Sequence, residues 1–208
     1  MTISIKKNQL NKMDEIVFKI TFVVLWLIYT LIRVPFDKGY KVSERIKKLN
    51  LPSEKFLITL MFLGLMLTPF AWALTPFINK FNLDFPLWLR LIGIAFSIIS
   101  LPYFWWIHKT LGQNWSPSLE IRKGHELINK GPYKSIRHPM YLQILIWTIA
   151  QALIASNLIA SSFGIIAWIF LYFIRVPKEE KMMKEIFGDE YIDYMKRTGK
   201  IFPKLSGQ

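Results

Sequence analysis

Five long apolar blocks constrain the fold of this chain more than any other feature of its sequence. A helix needs about 20 apolar residues to cross the hydrocarbon core of a bilayer, and the blocks approach that length. They run from Ile16 to Val34, from Lys55 to Ile78, from Leu87 to Ile107, from Tyr141 to Ser156 and from Leu158 to Val176. The pattern predicts an all-α integral membrane bundle of about five transmembrane helices.

Prolines and polar residues predict where the spans bend and turn. Thr68-Pro69 and Thr75-Pro76 are expected to kink the second span, with the threonine hydroxyls bonding freed backbone groups. The fourth block is short for a full span, which leaves room for an extension before Tyr141. Only Asn157 and its neighbours separate the last two blocks, so residues 141–176 are expected to form a tight helical hairpin. A charged amphipathic C-terminal helix, Lys178 to about Lys196, is predicted to follow.

The distribution of basic residues predicts the orientation in the membrane. With five spans, segments 35–54, 108–140 and 177–208 share one side and together hold 18 Lys and Arg, against 4 on the other side. The positive-inside rule places the basic side in the cytoplasm. The net charge of +13 therefore indicates contact with membrane lipids, and no nucleic-acid partner is expected.

Composition also limits the chemistry and the domain organisation. The chain has no Cys, which excludes disulfides and thiolate zinc sites, and its three His show no metal-site spacing, so no metal is expected. Residues 1–208 are interpreted as a single membrane domain. Within it, residues 1–107 are expected to form a three-span scaffold, and residues 108–208 hold a long polar segment, the hairpin 141–176 and the charged tail helix.

Two polar stretches flank the predicted hairpin and should meet at the cytoplasmic membrane surface. The first contains Gly131-Pro132-Tyr133 and Arg137-His138-Pro139-Met140-Tyr141, and the second contains Glu179-Glu180 and Phe187-Gly188-Asp189-Glu190-Tyr191. In this order, and joined by a hairpin of this length, they resemble the isoprenylcysteine carboxyl methyltransferase family and its phospholipid methyltransferase relatives. The resemblance covers about residues 112–203, nearly half the chain, and implies that residues 108–208 form a catalytic part with a cytoplasmic cofactor-binding segment.

The resemblance implies S-adenosylmethionine as the methyl donor and a lipophilic, prenylated acceptor. It implies carboxyl O-methylation of an isoprenylcysteine-like substrate at the cytoplasmic face. By the same resemblance, Arg175 belongs to the substrate side as the catalytic residue. The residues implied to line the cofactor pocket are His125, Glu126, Leu127, Ile128, Tyr133, His138, Pro139, Met140, Tyr141 and Glu179.

The chemistry of these residue types agrees with those roles. A carboxylate such as Glu179 can hold an ammonium or ribose hydroxyls through charge-assisted hydrogen bonds. Tyr133 and Tyr141 offer flat faces to adenine or to a sulfonium cation. Arg175 can align an acceptor carboxylate, since methyl transfer is an in-line displacement that depends chiefly on positioning.

Simpler interpretations stand beside this one. Arg175 and Glu179 are four residues apart and could form a helical ion pair. Glu180, about 100° round the helix from Glu179, is expected to face solvent or a basic loop. His138 could cap the fourth span, and His125 could be an ordinary turn residue.

Two other functions also fit parts of the sequence. Sterol-type membrane reductases, which use NADPH, carry a similar Arg-His-Pro-x-Tyr signature, although a Glu-Glu pair after the last span is less expected there. A non-catalytic lipid-binding membrane protein would account for the charge and the basic tail.

Overall fold

The computed structural model describes residues 2–39, 45–48, 52–116, 120–122 and 126–204. Its helices are α1 (Thr2–Gly39), α2 (Pro52–Phe62), α3 (Thr68–Leu74), α4 (Leu87–Leu111), α5 (Pro139–Ala155) and α6 (Leu158–Arg197). A π-helical turn, Leu63–Leu67, joins α2 to α3. Short 3-10 turns occupy Asn79–Phe81, Gly112–Asn114 and Gly131–Lys134. Strands β1 (Arg45–Lys48) and β2 (Glu120–Arg122) form a small antiparallel ribbon. The predicted helical membrane bundle is confirmed, with this ribbon as an addition.

Four of the described helical segments are long and apolar enough to cross a membrane. They are Met13–Phe36, Ser53–Leu74, Leu87–Leu111 and Leu158–Arg197. Helix α5 is shorter, with 17 residues, or roughly 25 Å against a hydrocarbon core of about 30 Å. It begins only two residues before Tyr141, at Pro139. The last helix continues through Pro177 into the charged tail, with one break in helical geometry at Gly188.

The two Thr-Pro pairs of the second span have different effects. Pro69 has no N–H to donate to the carbonyl of Leu65, four residues earlier. The π-helical turn lies at this point, and Gln151 Nε2 of α5 donates to Leu65 O at 3.4 Å. Pro76 does not kink the helix as predicted but follows its end, because Thr75 is extended, the geometry favoured before a proline.

Asn157 holds the turn of the α5–α6 hairpin against the loop between α3 and α4. Its Oδ1 accepts from the backbone N–H groups of Ile159 and Ala160, both at 3.1 Å, and so caps α6. Its Nδ2 donates to Ile78 O at 2.8 Å and to Asn82 Oδ1 at 2.7 Å. The hairpin turn therefore lies at the end of the bundle opposite to the motif-bearing end, where α5 begins at Pro139 and α6 carries Glu179.

A buried arginine also ties several helices together at the Asn157 end. Arg90 of α4 donates to Glu15 Oε2 of α1 at 2.8 Å, and its Nε and Nη2 donate to Ile154 O of α5 at 3.0 and 2.8 Å. Its guanidinium carbon lies 3.8 Å from the ring centroid of Phe18, and Trp72 Nε1 donates to Glu15 Oε1 at 3.1 Å. One arginine thus connects α1, α4 and α5.

Replacing Arg90 with Met is expected to destabilise the fold by about 2–3 kcal/mol, because Glu15 and the Ile154 carbonyl both lose a charge-assisted partner. Thermal unfolding in detergent would measure the loss. Lys80→Met is the matched control, since it removes one positive charge from the same end at an exposed position. Equal unfolding temperatures for both variants would show that the Arg90 cluster contributes little.

Candidate active site

A cavity of about 680 Å³ opens between the helices at the motif-bearing end. The predicted site residues that line it are Glu126, Leu127, Ile128, Tyr133, His138, Met140, Tyr141, Arg175 and Glu179. Pro139 is not in its wall and instead begins α5. His125 lies outside the described residues. The hairpin therefore brings together side chains that are about 40 residues apart in sequence, such as Tyr141 and Glu179.

Glu179 is held in a fixed position at the cavity wall. Tyr141 donates its hydroxyl to Glu179 Oε2 at 2.7 Å. His138 Nδ1 lies 3.7 Å from Glu179 Oε1, which is an ion-pair distance but too long for a hydrogen bond. The Glu179 side chain is 29% exposed, so its carboxylate can still be reached by a ligand in the cavity.

Glu180 is buried and, of its two predicted environments, faces the basic loop that precedes α5. Its Oε1 accepts from Arg137 Nε at 3.0 Å and from His138 Nε2 at 3.2 Å. Arg137 also donates to the backbone carbonyls of Met195 and Thr198 at the end of α6. The chain after α6 folds back against this loop, and the two together bury Glu180.

His138 bridges the two glutamates and is not a helix cap. It occupies the N-cap position of α5, but its side chain makes no capping hydrogen bond. Burial lowers the pKa of His138, yet the nearby carboxylates of Glu179 and Glu180 outweigh it and hold the pKa above its usual value. When it is protonated, His138 balances one of the two carboxylate charges.

Tyr133 is fixed by the tail of α6. Its backbone carbonyl accepts from the hydroxyl of Tyr194 at 2.6 Å, and both side chains are buried. Burial, followed by the charge of Glu179, raises the pKa of the Tyr133 phenol well above its usual value. Tyr133 therefore presents a neutral ring and hydroxyl to the cavity.

Arg175 is not paired with Glu179. Among the described residues no ion pair joins the two side chains, and Arg175 Nε is buried without a hydrogen-bond partner. Burying a guanidinium N–H without an acceptor is costly. Because Arg175 also lines the cavity, it places a positive charge in the cavity wall.

The first two spans contribute an apolar wall that sequence reasoning missed. Trp26, Leu57 and Met61 line the same cavity, as do several neighbouring apolar side chains of α1 and α2. Tyr29 of α1 stacks on Phe104 with 4.1 Å between ring centroids and donates its hydroxyl to Gln143 Oε1 at 3.5 Å. Tyr29, a tyrosine within an apolar span, was the one sequence signal that could have indicated this wall. Part of the cavity wall thus comes from residues 1–107.

The fold is that of a known class of intramembrane enzyme. It is similar to the solved structure of a eukaryotic intramembrane Ras methyltransferase, an isoprenylcysteine carboxyl methyltransferase, with a TM-score of 0.51 and 23% identity. The match covers 74% of this chain and 53% of that one. This likeness extends beyond the motif region to most of the helical bundle.

The isoprenylcysteine carboxyl methyltransferase family model matches residues 92–185. Protein-S-isoprenylcysteine O-methyltransferase B of Arabidopsis thaliana is 33% identical over 92 residues, covering 43% of this chain and 46% of that protein. The Tribolium castaneum enzyme is 29% identical over 123 residues (58% and 43%), and the human enzyme is 30% identical over 101 residues (47% and 35%). The matched region spans less than half the length of these relatives. The resemblance predicted from the sequence is confirmed.

Proposed function

We propose that this protein is an S-adenosylmethionine-dependent methyltransferase that acts on a lipophilic acceptor at the membrane. The reaction proposed is carboxyl O-methylation of an isoprenylcysteine-like substrate. One observation carries the proposal: a single cavity is lined by the polar residues of the matched motifs and by an apolar wall from α1 and α2. Such a cavity suits a polar donor and a lipid-like acceptor together.

The residues of the motif end fit the donor. Glu179, oriented by Tyr141 and partly exposed to the cavity, is suited to bind its ammonium group or ribose hydroxyls. Leu127 and Ile128, in a segment without regular secondary structure, offer backbone groups and apolar contact to the adenine. Tyr133 supplies a neutral aromatic surface. When bound, the donor supplies an electrophilic methyl group on a sulfonium.

Arg175 is proposed to hold the acceptor carboxylate. Its buried and unpartnered Nε would gain an acceptor, and the planar guanidinium matches a carboxylate bidentately. A carboxylate oxygen forms the new bond to the methyl carbon while the carbon–sulfur bond breaks and its electron pair stays on sulfur. No proton moves, so Arg175 needs to act only by positioning and charge.

The surroundings of the site favour this reaction. An acceptor anion and a donor cation become two neutral products, and loss of charge is helped by a water-poor environment. The apolar wall, including Trp26, Leu57 and Met61, would exclude water and hold the hydrocarbon part of the acceptor. Since the basic segments lie at this end, we place the site at the cytoplasmic face.

Calorimetric binding of S-adenosylhomocysteine to the purified protein tests the donor, with NADPH as the comparison ligand. Transfer of a radiolabelled methyl group to a farnesylated N-acetylcysteine tests the acceptor, with the corresponding methyl ester as the matched blank. Binding of S-adenosylhomocysteine together with base-labile methyl incorporation supports the proposal. Binding of NADPH alone, by folded protein, would refute it in favour of a reductase.

A further inference from the structure

A second, separate groove lies on the outer face of the motif-bearing end, between the end of α4 and the loop that precedes α5. It has a volume of about 480 Å³. Its lining residues are Trp105, Trp106, Lys109, Thr110, Lys130 and Gly131. None of these residues lines the candidate active-site cavity.

The groove is built for an anion at a membrane surface. Two of its side chains, Lys109 and Lys130, are cationic, and no carboxylate is among the described residues that line it. The Lys109 ammonium lies 4.7 Å from the ring centroid of Trp105. Trp106, which is 46% exposed, adds an indole N–H to the lining as a further donor.

The position of the groove matches the depth of lipid headgroups. Trp105 and Trp106 are each 46% exposed and stand in the last two turns of the span that ends at Leu111. Tryptophan at the end of a span typically sits at the headgroup level, with lysines just beyond it attracted to anionic lipid. The apolar ring faces of the two tryptophans would contact the first part of a lipid's acyl chain, while the two lysines face the phosphate of the same lipid.

One wall of the groove is the loop that also borders the active-site cavity. Leu127 and Ile128 line the cavity, whereas Lys130 and Gly131 line the groove. Gly131 has φ +55°, and a Cβ at this position would lie 2.8 Å from Thr110 Oγ1. The loop is therefore packed directly on α4, and only glycine permits this close approach.

We propose that this groove binds the phosphate of an anionic phospholipid and that the bound lipid clamps the 126–134 loop onto α4. A phosphate that bridges Lys109 on the helix and Lys130 on the loop would hold Leu127 and Ile128 in place. Anionic lipid should consequently tighten donor binding in the neighbouring cavity. This second consequence rests on the proposed function, whereas lipid binding itself does not.

Native mass spectrometry tests the lipid site directly. The detergent-purified protein is titrated with phosphatidylglycerol and with phosphatidylcholine of the same acyl chains. We expect preferential binding of phosphatidylglycerol, weakened roughly tenfold or more in the double variant Lys109→Gln/Lys130→Gln. The matched control is Lys181→Gln/Lys184→Gln, which removes the same charge from exposed positions on α6. Equal losses in the two double variants would overturn the site.

The coupling is tested by S-adenosylhomocysteine affinity in nanodiscs of phosphatidylcholine with or without phosphatidylglycerol. We expect severalfold tighter binding with the anionic lipid, and no such gain in the Lys109/Lys130 variant. An unchanged wild-type affinity would overturn the clamp. Displacement of the lipid by millimolar inorganic phosphate, with the same gain in affinity, would overturn the assignment to a lipid. Failure of S-adenosylhomocysteine to bind in either nanodisc would refute the proposed function, while mass spectrometry still decides the lipid site.

Discussion

Replacing Glu179 with Gln is expected to weaken S-adenosylhomocysteine binding roughly 100-fold, with the protein still folded. The substitution keeps the shape of the side chain and an oxygen that can accept from the Tyr141 hydroxyl, 2.7 Å away in the native protein. It removes the negative charge, and charge-assisted hydrogen bonds contribute about 1.5–3 kcal/mol each. Calorimetry on the purified variant, beside thermal unfolding, measures the effect.

The choice of control for Glu179→Gln follows from the contacts of its neighbours. Glu180 is unsuitable, because it bonds Arg137 and its replacement would disturb the attachment of the tail. Glu190 is suitable, since it lies on the same helix and is exposed. We expect Glu190→Gln to bind like the wild type and Tyr141→Phe to show an intermediate loss. Wild-type affinity in Glu179→Gln would place the donor elsewhere in the cavity.

The parts of the fold that the sequence predicted are those set by local patterns. Apolar runs of span length and the polar turn at Asn157 depend on neighbouring residues, so α4, α5 and the hairpin turn lie close to their predicted bounds. Helix α1, in contrast, begins at Thr2, well before the predicted start at Ile16. The response to proline was only half predictable. Pro69 is accommodated within the helix because Gln151, on another helix, donates to the Leu65 carbonyl that the proline leaves free. Among the described residues no side chain of another helix does the same at Pro76, and the helix ends before it.

The candidate site was predictable where a motif marked it and not where tertiary packing made it. The motif residues meet in one cavity because the hairpin is tight. The burial of Glu180 depends on residues 198–200 folding back over α6, and no periodicity in α6 itself carries that information. The apolar wall from α1 and α2 was missed for a related reason, since lipid-facing and cavity-facing side chains have the same composition in a membrane span.

Replacing Arg175 with Lys is expected to lower the rate of methyl transfer at saturating donor about 100-fold and to leave S-adenosylhomocysteine affinity within about threefold. Lysine keeps the charge but loses the planar fork that fixes both carboxylate oxygens, and misplacement of about 1 Å can cost that much in an in-line displacement. Arg175→Met, which removes the charge as well, should lose about 1,000-fold.

The two Arg175 variants separate positioning from mere folding when binding and turnover are measured on the same preparations. Arg197→Lys is the matched control, an exposed arginine on the same helix whose replacement should change neither quantity. Parallel loss of donor binding in both Arg175 variants would mean that Arg175 shapes the donor site and does not hold the acceptor. Undiminished transfer would mean that another cation orients the carboxylate, and Arg33, which also lines the cavity, would then be the residue to replace. The expected split between retained donor binding and lost transfer is specific to an acceptor-holding arginine, because Arg175 lines the cavity but, among the described residues, forms no ion pair with Glu179, the residue proposed to bind the donor.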